Sequence, residues 1–75
     1  MSVYRVTDVI GTSTESWEDA ASVAIRTASQ TIRDLRVAEV VAQDAHLAED
    51  GGITYRTKLR ISFKYESGEQ ASPGE

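Results

Sequence analysis

The chain reads as an α+β domain with three strands and one helix in the order β-α-β-β. Three observations carry this reading. Residues 36–48 and 53–66 are long stretches of alternating character, separated by Glu49-Asp50-Gly51-Gly52. Between them and the N-terminus, small apolar residues recur at steps of three and four from Trp17 to Ile32. Ahead of that stripe, residues 3–10 alternate and are rich in β-branched side chains. A period of two marks strands and a period near 3.6 marks a helix.

Each element follows from its local chemistry. In residues 3–10, Tyr4, Val6, Asp8 and Ile10 share one face; Val3, Arg5, Thr7 and Val9 share the other. That is a strand, and Gly11-Thr12-Ser13-Thr14 is expected to end it as a turn cluster. Ser16 suits a helix N-cap. Its hydroxyl can accept from the backbone N–H of Asp19, whose carboxylate can reach back in a short-armed capping box. Glu15, Glu18 and Asp19 place negative charge at the positive end of the helix dipole. Trp17, Ala20, Ala21, Ala24, Ile25, Ala28 and Ile32 form one apolar stripe, and its alanines let the helix sit close on a sheet. The helix is expected to end near Arg33.

The second strand starts Arg36-Val37-Ala38-Glu39-Val40-Val41. Strict alternation puts Val37, Glu39, Val41, Gln43, Ala45 and Leu47 on one face. Ala38, Val40, Ala42, Asp44 and His46 take the other. Neither face is apolar at both ends, as expected of a strand that leaves a covered core and runs into a subunit contact. Gly51 and Gly52 supply the positive φ of a hairpin turn. The third strand alternates most cleanly. Ile53, Tyr55, Thr57, Leu59, Ile61, Phe63 and Tyr65 face a core, against Thr54, Arg56, Lys58, Arg60, Ser62 and Lys64 on a cationic face. Fourteen such residues would span about 46 Å. The strand therefore packs its overhang on other subunits or bends. The first strand could pair beside either of the other two. Residues 67–75, rich in Gly, Ser and Glu, read as a disordered C-terminal tail.

Composition narrows the function. With 75 residues there is one domain, and a core this small rarely supplies more than ~3–5 kcal/mol. No cysteine is present, which removes disulfides and thiol chemistry and leaves oligomerisation as the main source of extra stability. The N-terminal residues lack the layout of a signal peptide, and no apolar run approaches the ~20 residues of a membrane span. A soluble, cytoplasmic protein is expected. The net charge of −4 argues against a general nucleic-acid binder. One histidine, no serine in a Gly-x-Ser-x-Gly setting and no Gly-rich phosphate loop leave no catalytic constellation, so the chain is read as not an enzyme.

Gly11-Thr12-Ser13, Ser16-Trp17 before an alanine-rich helix, Ala38-Glu39-Val40, Thr54-Tyr55 and Ile61-Ser62-Phe63 occur in an order and spacing that resemble the dodecins. The resemblance covers residues 3–66 and gives a dodecin-like domain over 1–66. It is greatest to the actinobacterial calcium-dodecin branch, which lacks a tryptophan in strand two. The family implies a three-stranded antiparallel sheet wrapped on the helix, with the first strand beside the third. It also implies a homododecameric shell of cubic symmetry, with ligand sites where two subunits meet across a two-fold axis. In flavin-holding members a tryptophan before Ala-Glu-Val stacks on the ring and a glutamine after Thr-Tyr bonds its edge. Those positions here are Val37 and Arg56. Valine offers no stacking surface, so a flavin such as FMN or riboflavin is expected to bind weakly or not at all, while Arg56 could grip a phosphate or carboxylate.

A cation is the other candidate ligand. Twelve acidic residues and no thiolate favour a hard, calcium-like ion. Asp8, Glu15, Glu18 and Asp19 are the nearest acidic cluster in sequence, although helix capping explains three of them without an ion. Asp44 and His46 on one strand face make at most half a metal site, and a solvated strand end is the favoured reading. Trp17 reads as a core or interface anchor, Tyr4 and Tyr65 as core or rim aromatics. Glu39 is expected to pair with Arg56, Lys58 or Arg60. The expected function is a non-catalytic shell that binds or stores a small ligand or ion. The alternative is a purely structural assembly with vestigial flavin sites.

Overall fold

Strand β1 (Tyr4–Ser13), helix α1 (Trp17–Ser29), strand β2 (Leu35–Leu47) and strand β3 (Ile53–Lys64) follow one another along the chain in a computed structural model that describes residues 1–64. Tyr65 and the tail lie outside the described residues. The sheet order is β1-β3-β2 with both pairings antiparallel. The first strand therefore lies beside the third. No helix among the described residues is long and apolar enough to cross a membrane.

β1 does not end at Gly11. It continues to Ser13, pairing Gly11 with Thr57 and Ser13 with Tyr55. The glycine serves a close approach rather than a turn. A methyl group built on Gly11 would stand 2.0 Å from the Ala20 carbonyl oxygen and 2.9 Å from the Ala24 Cβ. Only a strand residue without a side chain lets the helix backbone settle this low. The matching surface on α1 is Ala20, Ala24 and Ala28, all buried. Beneath them Leu59 and Ile61 complete the core, with Val9, Ala21, Ile32 and Leu35 packed at its margin.

Ser16 caps α1 as its sequence suggests, its Oγ accepting the Asp19 N–H at 2.9 Å. The Asp19 carboxylate does not return to the cap. It accepts the Ser13 hydroxyl at 2.6 Å, tying the end of β1 to the first helical turn. The helix stops at Ser29, four residues before Arg33. Thr31 and Ile32 N–H groups both donate to the Ala28 carbonyl, which tightens the last turn. Asp34 then adopts a left-handed φ of 60° and turns the chain into β2. In the hairpin, Gly51 donates to the Ala48 carbonyl at φ 92°. Gly52 needs no positive φ, and its N–H donates to Asp50 Oδ1.

The faces of β2 differ from strict alternation because the strand bulges. Register shifts fall between Leu35 and Val37 and between Val40 and Ala42. Each extra residue moves everything beyond it to the opposite face. Past the second shift, Gln43, Ala45 and Leu47 stand opposite Thr57, Tyr55 and Ile53, on the face that carries the helix. Ala42, Asp44 and His46 stand opposite Lys58, Arg56 and Thr54, on the far face. Asp44 thus joins Glu39 and Val37 rather than Val40.

The helix is too short for this sheet. Thirteen residues of α1 reach about 20 Å, and the strands of twelve and thirteen residues reach about 40 Å. α1 packs on β1 and β3 and barely reaches β2. Every residue of β2 after Leu35 is exposed. The Cα radius of gyration is 15.4 Å, against about 11 Å expected for a compact chain of this length.

Candidate functional site

The sheet face opposite α1 carries the ordered charge of the molecule. Four cross-strand rows lie side by side from β1 through β3 to β2: Val6–Ser62–Val37, Asp8–Arg60–Glu39, Ile10–Lys58–Ala42 and Thr12–Arg56–Asp44. Lys58, Arg56 and Arg60 recur at every second residue of β3, which is why they share this face. The acids that meet them come from both neighbouring strands.

Asp44 and Arg56 form a fork-to-fork pair. Arg56 Nε donates to Asp44 Oδ1 at 2.6 Å and Nη2 donates to Oδ2 at 2.8 Å. The bonded guanidinium holds the Asp44 carboxyl below the usual carboxylate range, and the carboxylate raises Arg56 in return. Asp8 and Arg60 repeat the arrangement at 2.9 and 3.1 Å, with Lys58 Nζ 3.9 Å from Asp8 Oδ2. Asp8 is likewise held low, first by its bonds to Arg60. Glu39, directly across from Arg60, adds a smaller attraction to the same guanidinium. The paired residues Asp44 and Arg56 are about half exposed, so each pair adds little to stability and mainly sets strand register. A recess of about 240 Å³ opens here, lined by Ile10, Ala42, Asp44, Arg56 and Lys58.

Val37 lies on this face too and is 62% exposed. It stands opposite Ser62, six residues along β3 from Arg56, a separation of about 20 Å. One chain does not bring Val37 and Arg56 together. A ligand touching both positions takes them from two subunits.

The acids at the start of α1 form a separate group. Glu15 and Glu18 are exposed and Asp19 is half-buried. Ser13 Oγ links them, donating to Asp19 and accepting the Glu15 N–H at 2.9 Å. Asp8 is not among them, because it projects from the far face of the sheet toward Arg60 and Lys58. Among the described residues of one chain, no three His, Cys, Asp or Glu side chains converge to hold a metal ion. The donor chemistry at the helix start suits calcium, but a full oxygen shell of six to eight donors needs ligands beyond these.

Trp17 connects the two faces. Its Nε1 donates to the Asp44 carbonyl at 2.8 Å, and its ring meets Tyr55 edge-on at 4.9 Å. Its own carbonyl accepts the buried Thr57 hydroxyl at 2.8 Å. Trp17 is therefore an anchor. The residue that strand-face reasoning undervalues is Asp44, since the sequence offers Arg56 to Glu39 or to an external anion. Counting outward from the turn would have found the pair: Leu47 meets Ile53, and three steps further Asp44 meets Arg56.

Known proteins place this architecture. The family model for dodecin matches residues 3–66. The calcium dodecin of Mycobacterium tuberculosis is 53% identical over 64 residues, covering 85% of this chain and 90% of that protein. The crystal structure of that calcium-chelating antigen superposes with a TM-score of 0.81 at 46% identity, covering 99% of this chain and 97% of the other. The Streptomyces davaonensis dodecin gives a TM-score of 0.81 at 32% identity, covering 88% and 97%. The Streptomyces coelicolor dodecin gives 0.82 at 32% identity, covering 88% and 94%. With a family model matching residues 3–66 and a relative at this identity, the chain belongs to the dodecin family.

Proposed function

We propose that this protein assembles into a dodecameric, non-catalytic shell that sequesters calcium and holds flavins weakly or not at all. The observation that carries the reading is the 53% identity, over nine-tenths of its length, to a calcium dodecin. The uncovered β2 supports assembly: an open strand, exposed on both faces, needs a neighbour to exclude water. Val37, with no ring to stack, and Arg56, already bonded to Asp44, support weak flavin binding. Glu15, Glu18 and Asp19 are the first donors to test. Asp8, on the opposite sheet face and bonded to Arg60, would join them only from another subunit.

Light scattering tests the assembly. Twelve chains of 8.2 kDa give about 98 kDa, and a monomer or dimer at micromolar concentration refutes the shell. Calorimetry tests the ion. Calcium at a hundredfold its dissociation constant adds about 2.7 kcal/mol to the native state, and Glu15→Gln with Asp19→Asn should remove the resulting rise in melting temperature. No heat and no shift at millimolar calcium would leave a purely structural shell as the function.

A further inference from the structure

We infer that Asp50-Gly51, at the tip of the β2–β3 hairpin, is a site of spontaneous backbone modification, where the aspartate converts to isoaspartate through a cyclic imide. The sequence holds five aspartates, followed by Val9, Ala20, Leu35, Ala45 and Gly51. The reaction needs the main-chain nitrogen of the next residue to reach the side-chain carboxyl carbon. A Cβ on that next residue crowds the approach, and only Gly51 has none. Asp50, Gly51 and Gly52 are all exposed. A methyl group built on Gly51 would meet no heavy atom within 4 Å, so a ring has room to close there. The Asp50 carboxylate is already folded forward. Its Oδ1 accepts the Gly52 N–H at 2.9 Å, which carries the side chain across the Gly51 peptide. Asp8 and Asp44 are held differently, each with its carboxylate in the fork of an arginine, and Asp19 accepts the Ser13 hydroxyl.

The step balances with water as its sole co-reactant. In the carboxylic acid form of Asp50, the Gly51 nitrogen bonds to Cγ, and the Cγ hydroxyl leaves as water with the amide proton. Water then reopens the five-membered ring at one of its two carbonyls. Attack at Cγ restores aspartate. Attack at the main-chain carbonyl yields isoaspartate, with the backbone routed through Cβ and a carboxylate on Cα. Nothing is oxidised or reduced, and composition and charge are unchanged. The restraint is the Gly51 N–H bond to the Ala48 carbonyl at 3.0 Å, which must open first. It closes an exposed turn at the end of a hairpin, where local opening costs least, and a glycine at φ 92° has wide conformational freedom. The product adds one methylene to the loop that the Ala48 N–H closes on the Gly52 carbonyl at 2.8 Å. The adjoining pair of Leu47 with Ile53 is therefore the part of the sheet that loosens, while Asp44 and Arg56, three positions further in, keep their register.

The test incubates the full-length protein at mildly acidic pH beside a sample unfolded in urea, then digests both with trypsin. The peptide from Val37 to Arg56 contains Asp44 and Asp50 together, so one spectrum compares them. Electron-transfer fragmentation locates isoaspartate, and an isoaspartyl methyltransferase with labelled S-adenosylmethionine measures it. Isoaspartate should build up at Asp50 in the folded protein and stay at background at Asp44. Gly51→Ala should reduce the signal severalfold. Asp50→Glu, whose ring would need a sixth member, should lose it. A signal absent from the folded protein, whether or not the urea sample shows one, overturns the proposal. So does a signal equal at Asp44 and Asp50, one undiminished by Gly51→Ala, or one that survives Asp50→Glu.

Discussion

Replacing Gly11 with alanine should be the most damaging single-methyl change in the described chain. The new Cβ would lie 2.0 Å from the Ala20 carbonyl oxygen, 3.0 Å from the Ala20 carbonyl carbon and 2.9 Å from the Ala24 Cβ. Ordinary contact needs 3.4 Å or more. The obstruction is helix backbone, so no rotamer change relieves it. α1 must rise by more than about 1 Å, lifting Ala20, Ala24 and Ala28 off Leu59 and Ile61, at the upper end of the ~1–3 kcal/mol typical of overpacking. A core of this size supplies only about 3–5 kcal/mol. At about 4–8 °C per kcal/mol for a domain this small, the melting temperature should fall by roughly 12–24 °C. The comparison is made at one protein concentration, because assembly adds to apparent stability. Gly51→Ala and Gly52→Ala are the controls. At Gly51 the space is open but φ is 92°, so strain alone acts, at about 1 kcal/mol. At Gly52 the nearest atom is a movable Asp50 oxygen at 3.2 Å, and the effect should be smaller still. A Gly11→Ala protein that melts within 3 °C of the parent, or no lower than Gly51→Ala, would refute this close seating of α1 on β1.

Three further outcomes are expected. Trp17→Phe keeps an edge contact with Tyr55 but removes the donor to the Asp44 carbonyl, and should cost about 1 kcal/mol in urea denaturation. Val37→Trp with Arg56→Gln should tighten flavin binding in a fluorescence-quenching titration, whereas a submicromolar dissociation constant in the unmodified protein would show that the tryptophan is dispensable. Asp8 and Asp44 have lowered carboxyl pKa values in the folded state. Their contribution is present above the ordinary aspartate pKa and is lost as pH falls through the lowered values. Asp8→Asn with Asp44→Asn should therefore flatten the acid limb of the melting-temperature profile below about pH 4 and leave its shape at higher pH unchanged.

Most of the fold was legible because most of it obeys one period at a time. The alanine stripe, the Ser16 cap and the alternation of residues 53–64 each involve neighbours a few positions apart, and each appears as read. Three features were not legible, and each depends on a distant element. Gly11 looks like a turn until the helix that crosses it is known. The helix ends at Ser29 because Asp34 must turn toward β3, where its carbonyl accepts the Lys64 N–H. The bulges in β2 are invisible to a period of two, since Val40-Val41-Ala42 is apolar on either assignment. At the site, residue types were readable and their pairings were not. Arg56 was recognised as an anion-binding side chain, but Asp44 already fills its fork.

The uncovered face of β2 makes the last prediction. Val40 is 54% exposed and Leu47 is 71% exposed, and both lie on the face that carries α1, beyond the helix's reach. In an isolated chain, a surface position like Leu47 accepts a charge with an effect within about ±0.5 kcal/mol. In an assembled shell the same side chain is buried against a neighbour, and Leu47→Glu puts an unpaired carboxylate into an apolar contact repeated in every subunit. The two cases differ in mass as well as in stability. If β2 is an assembly surface, Leu47→Glu should scatter light as a smaller species than the parent, while Ser22→Glu, at an exposed position of α1, serves as the comparison for a charge placed elsewhere. A Leu47→Glu protein of unchanged mass and melting temperature would mean that this end of the hairpin is free in solution. The length of the sheet would then need an explanation other than contact between subunits.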